Sequence, residues 1–236
     1  MTGRVFFLLS FALLAACKAP PAPPEPPGED SFPSVERPVA EIVSAQFSDE
    51  ESRERAGEAR RVMDLMGIAP GSVVADIGAG RGYYTVNLSR RVGDAGRVYA
   101  EDIFENTVND LRGRVHAEGF SNVSVVLGTP GDPKLPPASL DRALLVHMYH
   151  EIENPYELLW NLRTSLKPGA LVGIVDADRP TRSHGTPPWL LDCEVTTIGF
   201  ERQALHELDG KSYLAIYAAT KPRPRPIDIQ PCRSAP

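Results

Sequence analysis

The chain has 236 residues, 42% of them hydrophobic and 24% charged, with a formal net charge of -6. That balance is ordinary for a globular protein, and a core of this size can be buried without metals or cross-links. The acid surplus, with no cluster of Lys and Arg, argues against DNA or RNA as a substrate. The length suits one α/β domain with flanking tails better than two domains.

From the N-terminus, Arg4 precedes an apolar run from Val5 to Leu14 that is too short to span a bilayer and fits the core of a signal peptide. Leu14-Ala15-Ala16-Cys17 resembles the lipobox of bacterial lipoproteins, which implies cleavage before Cys17 and lipidation of its thiol. Lys18 occupies the position where an Asp would favour inner-membrane retention. The expected location is therefore periplasmic, with the protein held by its lipid at the outer membrane. Residues 17–40 are rich in proline, which fixes φ and removes backbone donors, so they are expected to be an extended tether. The folded domain is expected over residues 41–221, with a second proline-rich tail over 222–236. With Cys17 lipidated, Cys193 and Cys232 remain; a disulfide between them suits an oxidising compartment, but nothing in the sequence fixes their separation.

Within the domain, Ser48-Asp49-Glu50-Glu51 is a capping box opening a helix that runs towards Met66. Residues 72–77 form an apolar, β-branched strand, and residues 84–92 a helix. Strands follow at 97–102, 123–127, 140–146 and 170–175, with helices at 105–118 and 154–166. Two further strands, 200–208 and 212–218, are joined by the turn Asp209-Gly210. Strands alternating with helices predict a parallel sheet covered on both faces.

The chemistry centres on Asp76-Ile77-Gly78-Ala79-Gly80-Arg81-Gly82, a strand, glycine turn and helix in succession. Gly78, Gly80 and Gly82 let backbone approach a ligand closely, and the helix start offers free amides. A dinucleotide fingerprint requires Gly-x-Gly-x-x-Gly, and the spacing here is Gly-x-Gly-x-Gly. The segment resembles the first motif of class I S-adenosylmethionine (SAM)-dependent methyltransferases. The resemblance implies a Rossmann-like, doubly wound, mostly parallel seven-stranded sheet with an antiparallel terminal hairpin, and SAM as cofactor. It places Asp76 and Ala79 near the methionine end of SAM, and Asp102-Ile103, closing the second strand, at its ribose. Asp102 is favoured over Glu101 as the ribose acid, being roughly 20 residues past the glycines. Asp132, after the third strand, is expected near the adenine, or else as a simple turn acid.

Ligands of such sheets bind at the carboxyl ends of the strands. His147, Tyr149 and His150, after the fourth strand, therefore stand as candidates beside the transferred methyl group. His150 is the favoured acid-base group, since imidazole titrates near neutrality, and Tyr149 an acceptor-orienting group. Each could equally pack beneath the loop, because methyl transfer can proceed by alignment alone. Asp176, Asp178 and His184 are candidates for the far wall. His147, His150 and Glu151 invite a metal reading, but their order departs from His-Glu-x-x-His, so no metal is expected. The lack of Gly-x-Ser-x-Gly argues against a hydrolase.

The expected activity is methyl transfer to a small-molecule acceptor. The rival is a non-catalytic periplasmic binding or scaffolding lipoprotein on the same fold, because SAM is made in the cytoplasm and the N-terminus signals export. Neither the acceptor nor the oligomeric state is written in the sequence.

Overall fold

The computed structural model describes residues 31–42, 50–208 and 210–233. The expected signal run, Cys17, the first part of the proline tether and the capping Ser48 lie outside the described residues.

Seven strands form one sheet in the order β3-β2-β1-β4-β5-β7-β6. They are β1 (Val73–Ile77), β2 (Arg97–Asp102), β3 (Val123–Leu127), β4 (Leu140–Val146), β5 (Leu166–Ala177), β6 (Glu201–Glu207) and β7 (Ser212–Ala218). β1 to β5 pair in parallel, and β7 runs antiparallel to both β5 and β6. The Rossmann-like expectation, with its terminal hairpin, is met.

Period-two alternation splits each central strand between two cores. Ala75, Ile77, Leu145 and Ile174 face α5 (Pro155–Ser165) and α6 (Pro188–Thr197). Val74, Leu144 and Val175 face α2 (Glu58–Leu65) and α3 (Tyr83–Val92). Leu111 and Val115 of α4 (Glu105–Ala117) close a third cluster against Ala100.

The structure departs from expectation in four places. The first expected helix is two, α1 (Glu50–Ala56) and α2, because Gly57 sits at φ 67 and its N–H caps the carbonyls of Arg53 and Glu54. Lys167-Pro168-Gly169 does not lie before the fifth strand but within it, as an irregularity where the partner of β4 jumps from Leu166 to Leu171. Helix α6 has no periodic apolar stripe to announce it, since its buried face, Leu190, Leu191, Glu194 and Val195, includes an acid while the apolar Trp189 is exposed.

The domain boundaries at 41 and 221 also fall inside the packed structure. Arg37 is buried against Glu194, the N–H of Ala40 donates to the carbonyl of His150 at 3.1 Å, and Phe32 meets Trp160 edge-on at 5.6 Å. At the other end, Ile229 and Cys232 are buried, and Cys232 is disulfide-bonded to Cys193 with Cα atoms 6.0 Å apart. Trp160 Nε1 donates to the carbonyl of Pro224, the Arg223 guanidinium stacks 3.5 Å over the same indole, and the N–H of Cys232 donates to the Tyr156 hydroxyl. Proline-rich chain lacks donors, and here the folded body supplies them. Glu36 and Arg233 form an isolated parallel bridge, so the two end segments meet as straps on one side of the domain. Among the described residues no helix is long and apolar enough to cross a membrane.

Candidate active site

The carboxyl ends of β1, β2, β4 and β5 open into one cavity of about 1480 Å³. On one side lies the glycine turn. Gly78, Gly80 and Gly82 adopt φ of 66°, 54° and 85°, a region closed to most other residues.

The turn is clamped to the end of β2. The N–H of Ala79 donates to the Glu101 carbonyl at 2.8 Å, that of Gly80 to Asp102 Oδ2 at 3.0 Å, and that of Gly78 to Glu101 Oε2 at 3.4 Å. Asp102 Oδ1 also accepts from the N–H of Phe104 at 3.0 Å. A carboxylate offers about four lone-pair directions, so Asp102 keeps two for a diol. Ile103 and the exposed ring of Phe104 continue the wall beside it.

Asp76 lies buried beneath the turn, where the Thr85 hydroxyl donates to it at 2.6 Å. Its pKa is pushed up to about 6, chiefly by burial. Glu101 is pushed further, to about 8, by burial and by the neighbouring carboxylates of Asp102, Asp76 and Asp132. Its buried Oε1 has no hydrogen-bond partner. Three crowded acids and an orphaned carboxyl oxygen fit a cationic, hydroxyl-rich ligand such as SAM.

This has a measurable consequence. Between about 4.5 and about 8 the folded protein holds a proton on Glu101 that the unfolded chain has lost, so its contribution to stability falls as pH rises through that window. A bound sulfonium and ammonium would oppose the shift by adding positive charge beside the carboxyl. Calorimetry at pH 7 in buffers of different ionisation enthalpy is expected to show close to one proton released per SAM bound. Glu101→Gln should remove that release, and an enthalpy independent of buffer would contradict it.

Gly82 and Asp132 have other duties than those expected. Gly82 is buried outside the cavity; a Cβ there would stand 2.4 Å from Leu111 Cδ1, so it permits α4 to pack and α3 to begin. Asp132 closes a tight turn with Thr129 and accepts from the N–H of Lys134, while Thr129 and Pro130 line the cavity in its place. Its turn-acid alternative describes it better.

The far side of the cavity is built by the ends of β4 and β5. Met148 lies across the glycine turn, where a Cβ on Gly78 would be 2.9 Å from its Cε. Beyond it are Ile152, Leu158 and, from the N-terminal strap, Ile42. His150 Nδ1 is 2.9 and 3.2 Å from the two oxygens of Asp176. Asp176 is wholly buried, and it also accepts from the Thr186 hydroxyl and the N–H of Ala177. That acceptor set orients the imidazole with Nδ1 as its donor nitrogen.

The other two expected catalytic residues are engaged elsewhere. Tyr149 is fully buried outside the cavity, between Arg37 and Glu194, where burial and the Glu194 carboxylate push its phenol well above the usual range. It cannot reach an acceptor. His147 lines the cavity, but its Nε2 lies 2.9 Å from Glu58 Oε2. Burial would raise the Glu58 carboxyl; hydrogen bonds from His147 and Tyr84 and the charges of His147 and Arg53 outweigh it and hold it below its usual value. Of the far-wall candidates, His184 is in place and is joined there by Arg179, Asp176 stands behind His150, and Asp178 lies outside the cavity.

The N-terminal strap, residues 39–42, and Arg53, stacked on Tyr83 at 4.4 Å, were not signalled by any motif. Only the folded topology brings them to the site.

A doubly wound sheet with this order, a clamped glycine turn after β1 and an acid closing β2 form a Rossmann-like α/β domain of the kind the glycine motif implied. Residues 75–174 match the family model described as a methyltransferase domain, a match that implies SAM as cofactor. The chain is 30% identical over 124 residues to the ubiquinone/menaquinone biosynthesis C-methyltransferase of Hydrogenovibrio crunogenus, covering 52% of this chain and 49% of that protein. It is 39% identical over 83 residues to the nocamycin O-methyltransferase of Saccharothrix syringae, covering 35% and 30%. It thus spans about half or less of the length of these curated relatives. Among solved structures, a SAM-dependent methyltransferase from Aquifex aeolicus superimposes with a TM-score of 0.64 at 24% identity, over 72% of this chain and 98% of that one.

Proposed function

We propose that the protein transfers the methyl group of SAM to a small, largely apolar acceptor whose nucleophile is an oxygen, or a carbon activated by one. The observation that carries this is the single continuous cavity. At about 1480 Å³ it exceeds the usual span of a one-ligand pocket, roughly 300–1,000 Å³. Its acidic, glycine-lined half suits the cofactor. The other half sets the apolar Met148, Ile152, Leu158 and Ile42 against a polar wall of His150, Glu151, Arg179 and His184, with His150 supported by Asp176. Relatives named as a quinone-biosynthesis C-methyltransferase and an antibiotic O-methyltransferase support an acceptor of this chemistry.

In this reading Asp76, Glu101 and Asp102 orient the cofactor, and Met148 stands at the waist between the two halves. Burying the pair of ligands together supplies the alignment that a displacement at a methyl carbon requires. His150 meets the acceptor's nucleophilic atom. The strap wall at residues 39–42 limits water.

We also place the protein outside the cytoplasm as a lipoprotein. The apolar run before Cys17 and the Cys193–Cys232 disulfide support this.

The test uses the full chain recovered from the membrane fraction, with the mass of its N-terminus read directly. An intact Met1 rejects the lipid anchor. Calorimetry with SAM should show one site, and methyl-labelled SAM should label a member of a panel of quinols and phenols. No binding at millimolar SAM rejects the cofactor assignment; binding without transfer to any acceptor favours a non-catalytic binding protein.

A further inference from the structure

We infer that His150, Glu151 and His184 form a site for a divalent transition-metal cation of the zinc type, set in the wall of the acceptor half. The inference rests on the proposed function only for the use made of the metal; the binding itself is independent of methyl transfer.

One ligand atom from each of the three side chains lies within 4.8 Å of the others. Tetrahedral zinc, with bonds near 2.0–2.1 Å, separates its ligand atoms by roughly 3.4 Å. The cluster therefore needs side-chain adjustments on the order of an ångström to close on an ion. Two imidazoles and one carboxylate are a donor set that borderline cations accept, with open positions left for a further ligand.

The supporting groups are those that metal-binding histidines use. A ligating imidazole commonly donates its other N–H to a carboxylate, which fixes its tautomer and raises its basicity. Asp176 does this for His150 Nδ1 at 2.9 Å, leaving Nε2 as the lone-pair nitrogen. The same acid fastens the loop that carries the second histidine. Thr186 donates its hydroxyl to Asp176 at 2.7 Å and its N–H to the Ala177 carbonyl at 2.9 Å. His184 is held at φ 57, uncommon for a residue with a side chain. Its N–H bonds to the Thr181 carbonyl, and its own carbonyl accepts from Arg179 Nε at 2.9 Å. Its ring meets that of His150 edge-on at 5.6 Å.

The sequence reading rejected a metal on His147, His150 and Glu151. The structure turns His147 to Glu58 and supplies His184 from beyond β5 instead. That histidine is 34 positions from His150 in the sequence, so no local spacing announces the set. A cation here would hold an anionic oxygen of the acceptor by charge, and His150 would then act as a ligand.

The test is zinc binding to the full chain after chelator treatment, read by metal analysis and by competition with a chromophoric chelator. One zinc per chain is expected, with cobalt giving the visible absorption of a tetrahedral site. His184→Asn, which tolerates the left-handed backbone, and Glu151→Gln should each weaken zinc binding at least tenfold while SAM affinity stays within about twofold. Asp176→Asn should weaken zinc 10- to 100-fold. No stoichiometric zinc, or zinc affinity unchanged in both ligand variants, overturns the site. Zinc lost while SAM still binds leaves the methyltransferase reading standing; SAM lost while zinc still binds does the reverse.

Discussion

Asp102→Ala is expected to lower SAM affinity by at least about a hundredfold. Two charge-assisted hydrogen bonds to the ribose diol, each worth roughly 1.5–3 kcal/mol, set the scale. The effect has a second source in the protein itself. Asp102 also receives the N–H groups of Gly80 and Phe104, so its loss frees the glycine turn from the end of β2. Asp102→Asn keeps one acceptor oxygen and should fall between wild type and Ala. Calorimetric titration of both variants with SAM, alongside Glu101→Gln, decides which acid serves the ribose. A greater loss in Glu101→Gln than in Asp102→Ala would give the ribose to Glu101.

Arg37→Met is expected to destabilise the protein by about 3–5 kcal/mol, the effect of stranding one half of a buried ion pair. Arg37 Nε donates to Glu194 Oε1 at 2.8 Å, and both side chains are fully shielded from solvent. Its remaining donors reach the carbonyls of Tyr149 and Ile152 at 3.4 and 3.3 Å, the chain segment that carries His150. Melting by calorimetry should show a drop of roughly 6–20 °C for a protein of this size. Arg37→Met combined with Glu194→Leu should recover most of it, because a neutral pair leaves no uncompensated charge. SAM affinity should fall in the single variant as well, since the strap that Arg37 pins includes residues 39–42 of the cavity wall. If Arg37→Met melts within about 2 °C of wild type, the pair does not anchor the strap.

The sheet was legible because its strands carry their own signals. β2, β3, β4 and β7 have the bounds expected from the sequence, and the glycine turn announces the cofactor end. What could not be read depends on contacts between distant residues. Arg37 is 157 positions from Glu194, and a lone Arg in a proline-rich stretch looks like solvated chain. Tyr149 and His150 are adjacent, yet one points into the core and the other to the cavity; a 3-10 turn at Tyr149–Glu151, absent from any strand or helix pattern, decides which. Asp102 was put forward by the resemblance of the second strand and by its position past the glycines. The raised carboxyl of Glu101 was not, because it comes from burial and from acids gathered by β1, β2 and the turn at Asp132.

The straps also dictate when the site can exist during folding. Contacts that join positions 36 and 37 to residues 194 and 233 are among the most distant in the chain, and loop closure of that span carries its entropy penalty in full before any contact repays it. A chain emerging from its N-terminus can pair β1, β2 and β3 early, but it has no counter-charge for Arg37 until α6 has been made. The wall formed by residues 39–42 is thus pinned in full only then. A molecule truncated before α6 would own the glycine turn and still lack the Arg37–Glu194 pair that fixes the strap over its site.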